Sequence, residues 1–314
     1  MQLALSQTRA ILLGVATADA LGVPVEFSSR TSLDADPIRD MRAFGTYNQP
    51  AGTWSDDSTM SFCLVEELAA GQLRLRRLAN RFINWVDYGY WTPHGRLFDI
   101  GNTTRAAIER MRDIEVDVAT VGGTHEGDNG NGSLMRILPL LAATRYRPLA
   151  YQIELVRQVS GMTHGHPRSV LCCLYYLWVA HALLDTSSVP AAMQWATSLA
   201  ERAYELDETL AEQRSHLIRL TDGNIVSIPR ANIQSTGYVV HTLEASLWCL
   251  LQTTNYRDAV LVAVNLGEDT DTTAAVTGGL AALAYGVEDI PTDWLTLLAR
   301  RQDIEDLATR WATP

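Results

Sequence analysis

The spacing of apolar residues restricts this chain more than any other feature. Over most of its 314 residues they recur at three- and four-residue intervals in segments rich in Ala, Leu, Glu, Gln and Arg, and alternating runs are scarce. The spacing predicts helices over Ser6–Leu21, Thr59–Ala70, Leu75–Tyr88, Asn102–Arg112, Met135–Ala142, Leu149–Gly161 and Pro167–Leu184. It predicts further helices over Val189–Leu206, Glu208–Thr221, Tyr238–Gln252, Tyr256–Leu266 and Thr272–Tyr285, and two short ones starting near Thr292 and Asp303. Only Ile225–Ile228 reads as a strand. With no Ser/Pro/Gly linker and no solenoid repeat, the reading is an all-α chain forming a single domain over residues 1–314.

Two irregular stretches interrupt the pattern. Asp34–Trp54 holds prolines and glycines, and Val121–Ser133 reads VGGTHEGDNGNGS. Loops this long in a compact domain are usually functional or disordered.

Charge narrows the partners. Lys plus Arg number 25 against 36 Asp plus Glu, a net charge of −11, which disfavours nucleic acid as a partner because phosphate binding rests on basic side chains. The run Arg74, Arg76, Arg77 and Arg81 reads as a solvated helix face. Cys63, Cys172, Cys173 and Cys249 each sit in an apolar helical stretch without metal-ligand spacing, as buried free thiols do in a reducing compartment. The N-terminus has no secretory pattern. The longest apolar run, Val170 to Leu184, contains His181 and is short for a bilayer. The expectation is a cytoplasmic protein with no membrane partner.

Two acidic clusters carry the chemistry. Gly52-Thr53-Trp54-Ser55-Asp56-Asp57 precedes one apolar helix, and Gly267-Glu268-Asp269-Thr270-Asp271-Thr272 precedes another. Adjacent carboxylates converge only in the loop and first turn of a helix, where the dipole favours anions. Carboxylates from two distant segments repel unless a cation lies between them, and oxygen-only donors suit Mg²⁺ or Mn²⁺. The plain alternative is two unrelated N-caps. An EF-hand does not fit, because Ala274 and Leu280 stand where its glycine and glutamate belong.

Asp19 falls in the last turn of the first helix, where the dipole disfavours an anion, so it needs a specific partner. That helix ends at Gly22, read as a C-terminal cap, with Pro24 beyond it and Glu26 past the turn. Asn102 is a candidate N-cap after Asp99. The Asp128–Ser133 glycine-rich run leads into a helix at Leu134, where backbone N–H groups would cradle a phosphate. His164 and His166 are spaced for a metal, but also as loop histidines that cap a helix or line a pocket.

In order along the chain, the segments ADALGVPVEF, GTWSDDSTM, DIGNTT, NGNGSLMRILPL, THGHP and GEDTDTTAAVTGGLAALAYG resemble the ADP-ribosylglycohydrolase family, from about Gly14 to Gly286. The resemblance implies a compact orthogonal multi-helix domain with two Mg²⁺ (or Mn²⁺) ions at the base of an ADP-ribose cleft. It implies Ser55, Asp56 and Asp57 as one ligand group and Asp269, Asp271 and Thr272 as the other, with Glu26 reaching the metals or their water. Asp99 and Asn102 would stand near the scissile ribose, Asn131, Gly132 and Ser133 would face the diphosphate or ribose, and His164 would line the cleft. The implied reaction hydrolyses the bond between ADP-ribose and a protein side chain, most simply arginine. Asp57 or Glu26 would serve as general base and Asp99 as proton donor. Serine-linked and O-acetyl-ADP-ribose substrates stay open, as do binding without hydrolysis and a role as immunity protein against a cognate ADP-ribosyltransferase toxin. Ala18 and Ser55 depart from the usual Gly and Thr, and Ser keeps the hydroxyl. An isoprenoid-type synthase is the other class, disfavoured because Met60 follows the DDxx stem in place of an acid.

Overall fold

Two helices made almost wholly of small and apolar residues, one near each end of the chain, pack along one another at the centre of the molecule. The computed structural model describes residues 3–186 and 188–313. In order, the chain forms α1 (Leu5–Gly22), α2 (Arg30–Ala35), α3 (Asp56–Ala69), α4 (Leu75–Tyr88), α5 (Asn102–Met111), α6 (Leu141–Thr144), α7 (Leu149–Gly161) and α8 (Pro167–Leu183). It continues with α9 (Val189–Leu206), α10 (Glu208–Ala211), α11 (Ile218–Thr221), α12 (Val239–Leu251), α13 (Tyr256–Val264), α14 (Thr270–Tyr285), α15 (Thr292–Leu297) and α16 (Arg301–Ala312). Short 3₁₀ turns join several of these. The described residues contain isolated bridges but no strand, so the fold is all-α.

α1 packs along α14, and both are buried on nearly every side. Small residues permit the close approach. A Cβ on Gly278 would lie 2.4 Å from the Ala18 Cβ, and one on Gly14 would lie 2.5 Å from the Ala282 Cβ. α3, α13 and α16 close around this pair, while α8, α9, α7 and α12 build the rest. One hydrophobic cluster runs through all of it, with Trp54, Trp85, Trp178 and Trp294 fully buried. The apolar stretch long enough to cross a bilayer is Leu5–Val25, not Val170–Leu184, and 94% of its most apolar window is buried inside the protein.

All 25 basic residues are arginine. Several use the planar fork to tie irregular backbone together. Arg30 donates to the carbonyls of Leu266, Arg230 and Ile233 at 2.7, 2.7 and 2.6 Å. The run on α4 is correspondingly less free than expected. Arg81 pairs with Glu66 at 2.6 Å, Arg77 reaches the buried Glu67, and Arg76 donates to the Met111 and Val116 carbonyls. The cysteines are free and buried.

Four local expectations are corrected. Met135–Ala142 is not one helix: Pro139, which has no N–H to donate, sits in a 3₁₀ turn (Leu138–Leu140) before α6. Glu208–Thr221 breaks into α10, a 3₁₀ turn (Arg214–Leu217) and α11, anchored by the buried Leu210, Leu217 and Leu220. Ile225–Ile228 is not a strand; Asn224–Ser227 is a 3₁₀ turn, and the Ile228 carbonyl accepts from Trp248 Nε1 at 2.9 Å. Gly22 is not a left-handed cap, since its φ is −79°. It is needed for space, because a Cβ there would lie 2.4 Å from the Asp271 Cα.

Candidate functional site

The site begins with Asp19. This acid in the last turn of α1 does have its specific partners: it accepts from the Ser55 N–H at 2.9 Å, the Ser58 N–H at 3.1 Å and the Ser58 hydroxyl at 2.5 Å. It therefore caps the N-terminus of α3, where the positive dipole end meets a carboxylate. Burial nonetheless pushes Asp19 up to about 7. α3 starts at Asp56, three residues before the expected Thr59, with Ser55 as N-cap. Asp56 and Asp57 thus occupy its first turn. Likewise α14 starts at Thr270, which places Asp269 at the N-cap position and Asp271 in the first turn.

Two residues with left-handed backbone bring the remaining acids in. Phe27 (φ 64°) and Glu268 (φ 61°) are tied crosswise: the Phe27 N–H donates to the Glu268 carbonyl at 2.6 Å, and the Glu268 N–H to the Ser28 carbonyl at 2.8 Å. This clamp sets Glu26 against the second acidic turn. Oxygens of Glu26, Asp269 and Asp271 lie within 4.8 Å of one another. Glu26 is buried, though it lies in the turn just past the end of α1.

The chain's carboxylates behave as a set awaiting positive charge. Among the described residues eight buried side-chain polar atoms lack a hydrogen-bond partner, and four of these are Glu26 Oε2, Asp57 Oδ1, Asp269 Oδ1 and Asp271 Oδ2. Burial, then repulsion from neighbouring acids, holds Asp56, Asp57 and Asp271 well above the ordinary carboxylate range. Burial and Asp99 push Glu26 up to about 8, and burial raises Asp99 and Asp269 as well. Hydroxyls complete the donor set. Ser55 Oγ and Thr272 Oγ1 both donate to Asp57 Oδ2, at 3.0 and 3.3 Å. Orphaned carboxylate oxygens among hydroxyls fit hard divalent cations such as Mg²⁺ or Mn²⁺.

These groups bound a cavity of about 370 Å³. Glu26, Asp56, Asp99, Asp269 and Thr272 line its acidic part. Gly130, Asn131, Gly132 and His164 line it too, with Gly101–Thr104 at the start of α5. Asp57 and Asp271, each 1% exposed, lie behind the lining. Larger cavities of about 650 and 970 Å³ around Arg145 and Tyr146 hold one carboxylate each.

Several expected residues stand differently from their sequence reading. Asn102 is the first residue of α5, not its cap, and remains exposed at the cavity edge. The Asn131 amide donates to Asp269 Oδ2 at 2.8 Å and to Thr242 at 2.9 Å, so it braces an acid. The Ser133 side chain does not face the cavity; it is fully buried, and its hydroxyl accepts from Ser160 at 2.9 Å. His164 and His166 do not converge. His166 accepts the Arg168 N–H at the start of α8, whereas His164 turns to the cavity with Nδ1 2.9 Å from the Thr163 hydroxyl. Burial, then Arg136, pushes His164 down to about 3, so the ring is neutral.

Two contributors escaped sequence reading. Tyr47, its ring tilted against that of Phe98 with centroids 5.1 Å apart, sets its hydroxyl against Glu26 and Asp99. Its only signal was membership of the irregular Asp34–Trp54 stretch. Arg136 is fully buried and donates to the Gly132 carbonyl at 2.5 Å and the Val159 carbonyl at 3.0 Å, fixing the glycine loop from behind. An arginine inside the apolar run SLMRILPL was the available clue.

Comparison with known proteins agrees with this geometry. Residues 2–313 match the model of the ADP-ribosylglycohydrolase family. ADP-ribosylarginine hydrolase Tri1 of Pseudomonas putida is 33% identical over 97% of this chain and 77% of its own length. ADP-ribosyl-[dinitrogen reductase] glycohydrolase of Rhodospirillum rubrum is 31% identical over 93% of this chain and 90% of its own. A solved ADP-ribosylglycohydrolase-related protein complex superposes with a TM-score of 0.78 at 27% identity, covering 98% of this chain and 97% of that one. The chain belongs to the ADP-ribosylglycohydrolase family and is a hydrolase.

Proposed function

We propose that this ADP-ribosylglycohydrolase removes ADP-ribose from arginine side chains of modified proteins, working as a single domain with two divalent cations. The observation that carries the reading is the convergence of Glu26, Asp56, Asp99 and Asp269 on one cavity beside a glycine loop and a helix start. The relatives named as ADP-ribosylarginine hydrolases support the linkage.

Ser55, Asp56 and Asp57 with Asp269, Asp271 and Thr272 would hold the cations, and Glu26 would complete the set. Bound Mg²⁺ or Mn²⁺ supplies charge neutralisation and Lewis acidity at the sugar. The start of α5 offers N–H dipoles to the diphosphate, and neutral His164 adds ring polarity without a charge. The reaction breaks the bond between ribose C1″ and the guanidinium nitrogen while a water oxygen bonds to C1″. Glu26 or Asp57 takes the water proton. Asp99, which lines the cavity and whose pKa burial raises, delivers a proton to the departing nitrogen.

The test is ADP-ribose release from arginine- and serine-ADP-ribosylated peptides with Mg²⁺, Mn²⁺ or EDTA. Release from the arginine peptide that EDTA abolishes is expected. Release from the serine peptide alone would move the substrate to the other linkage, and ADP-ribose binding without release from either would refute hydrolysis of both.

A further inference from the structure

Phe27 is held where phenylalanine is uncomfortable. Its φ is 64°, and the residue is 68% exposed. At positive φ the Cβ crowds the following carbonyl, and glycine would make the same turn without strain. The ring adds nothing to the core from such a position. What it does is line the cavity, next to Glu26 and near Asp99 and Asp269. Strain kept at the mouth of a site, in a side chain the fold does not need, points to use by a ligand.

The cavity suggests which part of the ligand. With the diphosphate taken to lie at the glycine loop and α5 start and the reacting sugar over the carboxylates, as proposed above, Phe27 is the aromatic side chain that lines the same cavity beside Glu26, on the side left for the group beyond C1″. An exposed π face at the cavity mouth favours a planar cation, and a guanidinium is one. We propose that Phe27 is the specificity-determining residue for a guanidinium on the leaving side, stacking on it and so selecting arginine over serine linkages. This rests on the function proposed above.

Phe44 supplies the control. It too is strained and exposed (φ 69°, 60%), on a turn packed against Pro24, but it does not line the cavity. The experiment compares Phe27→Gly, Phe27→Leu, Phe27→Tyr and Phe44→Gly for melting temperature, ADP-ribose Kd, and kcat/KM on the two peptides. Phe27→Gly is expected to melt higher than the parent, to bind ADP-ribose within about twofold, and to lose about tenfold in kcat/KM on the arginine peptide. Phe27→Leu loses similarly, Phe27→Tyr retains the parent rate, and Phe44→Gly gains stability without losing selectivity. An unchanged arginine rate in Phe27→Gly and Phe27→Leu overturns the assignment. So does an equal loss of ADP-ribose affinity, which would put the ring on ADP-ribose itself. If the parent cleaves neither peptide the proposed reaction fails and takes this inference with it, whereas an active parent with indifferent variants sinks the inference alone.

Discussion

Residue by residue, the site is a set of carboxylates gathered against their own repulsion. Asp57 is 1% exposed, one of its oxygens has no partner, and burial with Asp19, Asp56 and Asp269 nearby lifts its pKa well above normal. Asp57→Asn should therefore stabilise the metal-free protein, raising Tm by roughly 1–2 °C for each kcal/mol of relieved repulsion. It should also abolish hydrolysis and the Tm increment on adding Mg²⁺ or Mn²⁺. A variant that melts below the metal-free parent would show that Asp57 is a structural cap and not a ligand. Asp19, the acid whose helix-end position demanded a partner, was legible in the sequence, as were both acidic clusters. Tyr47 and Arg136 were not, because their roles depend on which loops meet. No spacing within Asp34–Trp54 announces that Tyr47 ends beside Glu26.

At the level of elements, the approach of α1 to α14 sets how close the two acidic turns come. Gly22 is one of the tightest points, its missing Cβ leaving room for Asp271. Gly22→Ala should destabilise by about 1–3 kcal/mol through overpacking and displace the Asp269–Asp271 turn. Denaturant melts with a metal titration check this, and loss of stability without loss of metal affinity would separate packing from site geometry. Long helices were legible because their apolar period exceeds the reach of local accidents: Leu75–Tyr88 and Val189–Leu206 match their predicted limits. The failures share a cause. Pro139 and the sparse anchors Leu210, Leu217 and Leu220 leave backbone that curls as single turns over neighbours, and the helical period persists without the helix. Helix starts moved for another reason: Asp56, Asp57 and Asp271 became first-turn residues once the starts were fixed by Ser55, Asp19 and the close passage of Gly22.

On the scale of the whole molecule, buried histidines couple folding to acidity. Burial, then Arg145, pushes His181 down to about 4, with Nε2 3.0 Å from the Thr144 hydroxyl. An unfolded histidine takes a proton near 6.5, so between about 4 and 6.5 the unfolded state binds more protons. Stability from this residue is complete above pH 6.5 and is lost as pH falls toward 4, by about 2–3 kcal/mol at pH 4.5. His181→Gln should flatten that part of the profile in melts at pH 7.5, 5.5 and 4.5; parallel profiles for parent and variant would refute it. The pairing of α1 with α14 has another consequence, for synthesis. α1 is apolar enough by composition to enter a membrane, and the helix that buries it ends at Tyr285. At ordinary translation speeds roughly 10 to 50 seconds separate the two. For that interval the nascent chain carries a greasy helix without its mate, and the paired core that brings the two acidic turns together forms only once α14 has emerged.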